Sequence, residues 1–187
     1  MRISRVASPM PLALVLVVVL AGVSSIRARQ VTVPSIAPRP DDVATIDGLI
    51  KAYYEVVSGP KGQPRDWARD RTLHIPDARF VAMSVDRAGK PVAEIMSHQQ
   101  YVERSEPVLA REGFFESEIH RVTRRFGNIA HVFSTYESRR TSDGPVIARG
   151  INSLELYWDG ARWWIVANLW DQERPGNPIP DEFLPRK

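Results

Sequence analysis

Proton transfer is the chemistry that the polar residues of this 187-residue chain could perform, and three of them are spaced for it. His131 stands between Ala130 and Val132 in a run that alternates like a strand. An imidazole set into an apolar face is either a general base that bonds a substrate or a satisfied cross-strand histidine. His74 and Asp77 flank Pro76 just ahead of another strand-like run, where they either edge a site or cap a turn. A carboxyl or imidazole in an apolar cavity has its pKa drawn toward neutrality, which proton transfer at neutral pH requires. His131, Asp77 and His74 are therefore the catalytic candidates. Asn152 could orient a ligand or simply satisfy irregular backbone. Tyr54, Trp67, Tyr136, Trp164 and Trp170 would line an apolar pocket with hydrogen-bonding edges, and without a cavity they are core. Glu137 and Glu155 alternate with apolar neighbours in the manner of solvent-facing acids.

Other chemistries lack their residues. The four histidines, His74, His98, His120 and His131, have no i,i+4 spacing among themselves and no cysteine partners, so no metal and no cofactor is expected. A glycine-rich phosphate loop and a Gly-x-Ser-x-Gly elbow are both missing from the sequence. The formal charge of +3 overstates the basic character. Met1-Arg2-Ile3-Ser4-Arg5, an apolar run from about Pro11 to Val23 and small residues at Ser24, Ser25 and Ala28 have the layout of a secretory signal peptide. The apolar run is shorter than the roughly 20 residues of a spanning helix, so cleavage is expected between Ser25 and Ala28, an uncleaved anchor being the alternative. Removal through Ala28 takes three arginines and no acid, leaving 22 basic against 22 acidic residues. A near-neutral chain has no general affinity for nucleic acid, although Arg121, Arg124 and Arg125 form a local anion-attracting cluster. With no cysteine anywhere, no disulfide staples an exported fold, which must rest on its core. The protein is expected to be secreted or periplasmic, touching a membrane only if the signal segment stays attached.

The elements that must position these residues follow from periodicity. Residues 29–40 hold three prolines and read as an extended linker. Asp41 or Asp42 is expected to cap a helix whose stripe is Val43, Ile46, Leu49, Ile50, Tyr53, Tyr54 and Val57, ending at Ser58-Gly59-Pro60. Asp66 caps a short helix to Arg71 that turns Trp67 inward. A strand over 79–85 returns through a five-residue connection to one over 92–96. Ser97 caps a helix over 98–111, which Pro107 should kink or break. Three long strands follow, over 114–126, 129–140 and 146–158, joined at Gly127-Asn128 and 141–145. Asp159-Gly160 then leads into Trp163-Trp164-Ile165-Val166-Ala167-Asn168-Leu169-Trp170. Apolar positions are odd at Ile147 and Ile151 and even at Leu154, Leu156 and Trp158, so a bulge is expected near 150–153. A similar slip between Ile119 and Val122 predicts a second. The tail over 174–187, with four prolines, cannot continue a central strand, and Phe183 and Leu184 are expected to pin it to the domain or a partner.

Helix, short helix, hairpin, helix and three long strands in this order resemble the nuclear transport factor 2-like (SnoaL-like) superfamily over residues 41–173. The residues that carry the resemblance are Tyr53-Tyr54, His74-Ile75-Pro76-Asp77-Ala78-Arg79-Phe80, Phe126-Gly127-Asn128-Ile129-Ala130-His131-Val132 and Asp159-Gly160-Ala161-Arg162-Trp163-Trp164-Ile165. The resemblance implies a cone-shaped α+β fold, a curved antiparallel sheet wrapped around an N-terminal helix with a pocket between them. It also implies a homodimer paired through the sheet. Enzymes of the superfamily move protons beside a carbonyl or epoxide with a pocket Asp, His, Glu or Tyr, usually without metal, and other members catalyse nothing. Two functions stay open: a pocket for a small, largely apolar molecule, with or without lyase- or isomerase-type catalysis, and an assembly module whose cavity is filled.

Overall fold

The computed structural model describes residues 31–186, so the expected signal segment lies outside the described residues. The chain forms α1 (Pro40–Val43), α2 (Ile46–Val57), α3 (Trp67–Leu73), β1 (His74–Val85), β2 (Pro91–Met96), α4 (His98–Glu112), β3 (Phe115–Phe126), β4 (Ile129–Arg139), β5 (Ala148–Trp158) and β6 (Trp163–Gln172), then a 3₁₀ turn at Asp181–Phe183. The strands make one six-stranded sheet in the order β2-β1-β6-β5-β4-β3. All neighbours pair antiparallel except β1 with β6, which run parallel. The sheet curves without closing, and α2 lies on its concave side with the apolar stripe turned inward. Leu49 and Ile50 are fully buried there, and burial of side chains of that size contributes about 1.5–3 kcal/mol each. No helix among the described residues is long and apolar enough to cross a membrane.

Several local expectations are corrected. Neither Asp41 nor Asp42 caps α2. Thr45 does, its hydroxyl accepting from Gly48 N at 2.9 Å. Asp42 instead meets Arg69 in a two-pronged pair, both contacts at 2.8 Å, and Arg69 also reaches Glu55 at 2.7 Å, so one guanidinium ties three helices together. Part of the expected linker is packed on the domain. Val33 is buried, and the carbonyls of Val31 and Val33 accept from Gln99 and Arg71. Strand β1 begins at His74, five residues earlier than expected, because the parallel partner β6 already pairs there. Helix α4 continues unbroken past Pro107; that residue is exposed, so water can serve the carbonyl that the missing N–H leaves free.

The bulges decide which side chains face inward. Pairing of β4 with β5 is unbroken through 150–153, which corrects the bulge expected there: Ile151 faces the convex side, and Gly150, Asn152, Leu154 and Leu156 all face inward. The break in register lies on β6, where Val166 is the extra residue opposite Glu155 and Leu156. A second break sits at Ile119, as the phase slip on β3 predicts. After these insertions the inward positions are Glu116 and Glu118 on β3, Ser134, Tyr136 and Ser138 on β4, Gly150 and Asn152 on β5, and Asn168, Trp170 and Gln172 on β6. The floor of the sheet is therefore apolar near the Gly127-Asn128 turn and polar toward the other end.

Candidate functional site

At that polar end a cavity of about 440 Å³ opens between α4 and the sheet. Tyr53 of α2, Tyr101 of α4, and Tyr136 and Trp170 of the sheet give it aromatic walls; Glu116, Ser138, Asn152, Asn168 and Gln172 supply its polar groups. Glu116 is the acid among them. It is half-buried, and Ser138 Oγ donates to its Oε1 at 3.2 Å. Burial pushes the Glu116 carboxyl up to about 7, the Ser138 hydrogen bond opposing the shift only in part. At neutral pH this carboxyl is divided between its two protonation states, the condition under which one group can both take and return a proton.

The phenols around it have the opposite character. Burial, reinforced by the Glu116 charge, raises the pKa of Tyr53, Tyr54, Tyr101 and Tyr136 well beyond the usual tyrosine range, so all four remain hydrogen-bond donors. Tyr136 reaches its place because its cross-strand partner is Gly150. A Cβ at Gly150 would stand 2.5 Å from Tyr136 Oη and 2.4 Å from the Asp171 carbonyl oxygen, so only glycine lets the phenol lie across β5. Tyr54 Oη and Ser134 Oγ are 2.6 Å apart, Asn152 Nδ2 donates to Tyr54 Oη at 3.2 Å, and Ser134 Oγ donates to Glu118 at 2.5 Å. Asn168 Nδ2 donates to Tyr53 Oη at 2.6 Å, while Asn168 Oδ1, in a residue only 2% exposed, has no partner among the described residues. Asn168 is thus a cavity-lining residue with a buried amide oxygen that lacks a partner.

No protein-family model and no curated protein matches this sequence. Among solved structures, a protein of unknown function from Mycobacterium tuberculosis is similar at 12% identity over 73% of this chain and 75% of its own, with a TM-score of 0.53. One with a cystatin-like fold from Nostoc punctiforme is similar at 9% identity over 68% of this chain and 88% of its own, with a TM-score of 0.52. An NTF-2-like protein of unknown function from Silicibacter pomeroyi is similar at 17% identity over 70% of this chain and 94% of its own, with a TM-score of 0.46. At these identities the likeness is one of fold. A helix held inside a six-stranded curved sheet, with a cavity at the open end, decides which fold it is. It is the nuclear transport factor 2-like fold.

Within the NTF2-like cone the expected site residues disperse. Tyr136, Asn152 and Trp170 line the cavity. Tyr54 sits behind it, beside a second hollow of about 460 Å³ on the far side of Glu116. Trp67 serves α4 instead, its indole N–H donating to Glu106 at 2.6 Å and its ring meeting Tyr101 edge-on at 5.7 Å. Trp164 lies outside the cone, sandwiched by the Arg162 guanidinium at 3.6 Å and bonded to Asp159 at 2.6 Å. The three catalytic candidates do not meet in this cavity. His131 points from the convex face, 3.0 Å from Ser153 Oγ and edge-on to Phe133. Asp77 is exposed on β1. His74 is buried against Asp70 and His98, away from the cavity lining. Glu116, Tyr53, Tyr101, Asn168 and Gln172 were the residues sequence reasoning passed over. Counting back from Gly127-Asn128 with one extra residue at Ile119 pairs Glu116 with Ser138 and Glu118 with Tyr136, so the hairpin register held that signal.

Proposed function

We propose that this chain is an exported pocket protein that takes a small, largely apolar carbonyl compound and shifts a proton on it without a cofactor, Glu116 being the proton carrier. The observation that carries this reading is the Glu116 carboxyl, raised to about 7 inside an aromatic cavity that also presents buried phenol donors. In its ionised form Glu116 would remove a proton from the carbon beside the carbonyl. The electron pair of that C–H bond moves to the oxygen, where Tyr136 or Tyr101 donates a hydrogen bond to the developing enolate. Return of the proton from Glu116 to the same or a conjugated carbon completes exchange or isomerisation, with nothing consumed. The cavity volume also supports a pocket over an assembly module with a filled core, since ligand sites begin at about 300 Å³. Export is supported by the layout of residues 1–28.

The test is proton–deuterium exchange at the carbon beside the carbonyl of a panel of cyclic ketones and enones in D₂O, followed by NMR. Exchange catalysed by the wild type, rising with pH through about 7 and lost in Glu116→Gln, is the expected result. Exchange that Glu116→Gln leaves unchanged would remove Glu116 from the chemistry.

A further inference from the structure

A second set of chemically able side chains packs against the Tyr53 and Phe80 rings. Helix α3 carries Asp70, and β1 starts four residues later at His74, so the two share one side of the chain. The capping box at Ser97 fixes the start of α4 and sets His98 as its first residue. All three are buried, at 1%, 3% and 7% exposure. One donor atom from each lies within 4.8 Å of the other two. His98 Nε2 is 2.7 Å from Asp70 Oδ2; His74 Nδ1 is 3.8 Å from Asp70 Oδ1 and 2.9 Å from the Asp70 carbonyl oxygen, a bond it would exchange for the ion. Two ligand atoms about 2.0 Å from a tetrahedral metal stand about 3.3 Å apart, between those two carboxylate separations.

We propose that Asp70, His74 and His98 bind a divalent transition metal ion of the zinc, cobalt or nickel kind. Two imidazoles with one carboxylate suit these ions, whereas magnesium and calcium take oxygen ligands throughout. Each ring turns one nitrogen toward the Asp70 carboxyl, while the other, His74 Nε2 and His98 Nδ1, is buried with no hydrogen-bond partner among the described residues. The carboxyl thus draws one nitrogen of each ring toward a common point, where an ion would sit. A hollow of about 470 Å³, lined by His74 and His98 together with Arg71, Arg162 and Trp164, gives the ion a route in and leaves room for water at an open position. On binding, the hydrogen bond between His98 Nε2 and Asp70 Oδ2 opens and both atoms turn lone pairs to the ion.

The experiment is titration of the chelator-stripped full chain with Co²⁺, read by visible absorption and by calorimetry. A saturable 1:1 complex with intense bands of low-coordinate cobalt is expected, with Zn²⁺ displacing the Co²⁺. His98→Gln should weaken binding at least tenfold, and His74→Gln/His98→Gln should abolish it. Paramagnetic proton NMR of the Co²⁺-loaded wild type should show shifted, exchangeable imidazole N–H signals, a reading that needs no variant to fold. Absence of saturable binding below about 100 μM, absence of those signals, or binding unaltered in the double variant would each overturn the site. Glu116→Gln should bind Co²⁺ like the wild type, so failure of the carbonyl chemistry and failure of the metal site are separate results.

Discussion

On the concave side of β4, Ser134, Tyr136 and Ser138 are buried, while on its convex side His131 and Phe133 remain half-exposed. Similar residue types stand one position apart on the same strand, yet their chemistry diverges. The concave phenols are held protonated by burial, and the acid opposite Ser138 is raised to about 7. On the convex side His131 meets Ser153 and Glu155 at a surface that water can reach. Strand alternation separates an environment that retunes ionisable groups from one that water can reach. Residue type alone carries little function in such a sheet; parity carries it.

The largest test of that contrast sets Glu116→Gln against His131→Ala. Removing the concave carboxyl should lower turnover of any exchangeable ketone by about 10²–10⁴-fold, the usual contribution of a general base, while ligand binding survives. Removing the convex imidazole should change turnover less than twofold. If His131→Ala proved the more damaging, parity would not be what selects the site. Next in size is Gly150→Ala. The new Cβ would collide with Tyr136 Oη and the Asp171 carbonyl, and since backbone cannot yield as a flexible side chain does, a loss of about 2–4 kcal/mol in denaturant unfolding is expected. Ile151→Ala, one residue along and on the convex face, should cost clearly less.

How much of this was legible in the sequence depends on the same parity. Helix α2 and its buried stripe followed from three- and four-residue spacing, and the hairpins from Gly127-Asn128 and Asp159-Gly160, because those signals are local. Of the expected pocket residues, Tyr136, Asn152 and Trp170 line the cavity. His131 faces the other way because Ala130 and Val132, read as its apolar setting, are the concave residues and it alternates with them. Ile147 and Ile151 suggested a slip on β5, when the inserted residue is Val166 on β6. A bulge on a neighbouring strand leaves no mark in the strand being read. The cluster at Asp70 escaped because histidines were compared only with histidines; the i,i+4 pair is Asp70 with His74, and His98 joins it from a distant helix. Spacing shows local ligand pairs, and only topology supplies the third member.

A smaller effect distinguishes the faces by pH. Glu116 binds its proton more tightly in the folded chain than in the unfolded one, where its pKa is near 4.5. Between about 4.5 and 7 the native state therefore holds more protons, and stability falls as pH rises through that window. The expected loss is about 1–2 kcal/mol, allowing for partial solvent access to the group. Chemical unfolding of the wild type at pH 5 and pH 7.5 should show this decline, and Glu116→Gln should flatten it. Equal slopes in the two proteins would mean that the carboxyl is not desolvated.

The smallest effect concerns what covers the convex face. The tail turns back over it: Phe183 stacks on Phe133 at 5.1 Å, the Phe183 carbonyl accepts from Thr135 Oγ at 2.6 Å, and Ile179 is buried. Thr135 thus owes its burial to the tail, whereas Tyr136 beside it owes its own to the helices inside the cone. Truncation after Arg174 should cost about 1 kcal/mol, a drop of about 2–4 °C in melting temperature, because the Phe183 stack, the burial of Ile179 and the hydrogen bonds of Asn177, Ile179 and Phe183 are lost from a surface that water can re-solvate. The ketone-exchange rate should not change, since no tail residue lines the Glu116 cavity. A truncated chain that kept its melting temperature but lost exchange would reverse the division of labour between the faces and place the tail in the chemistry.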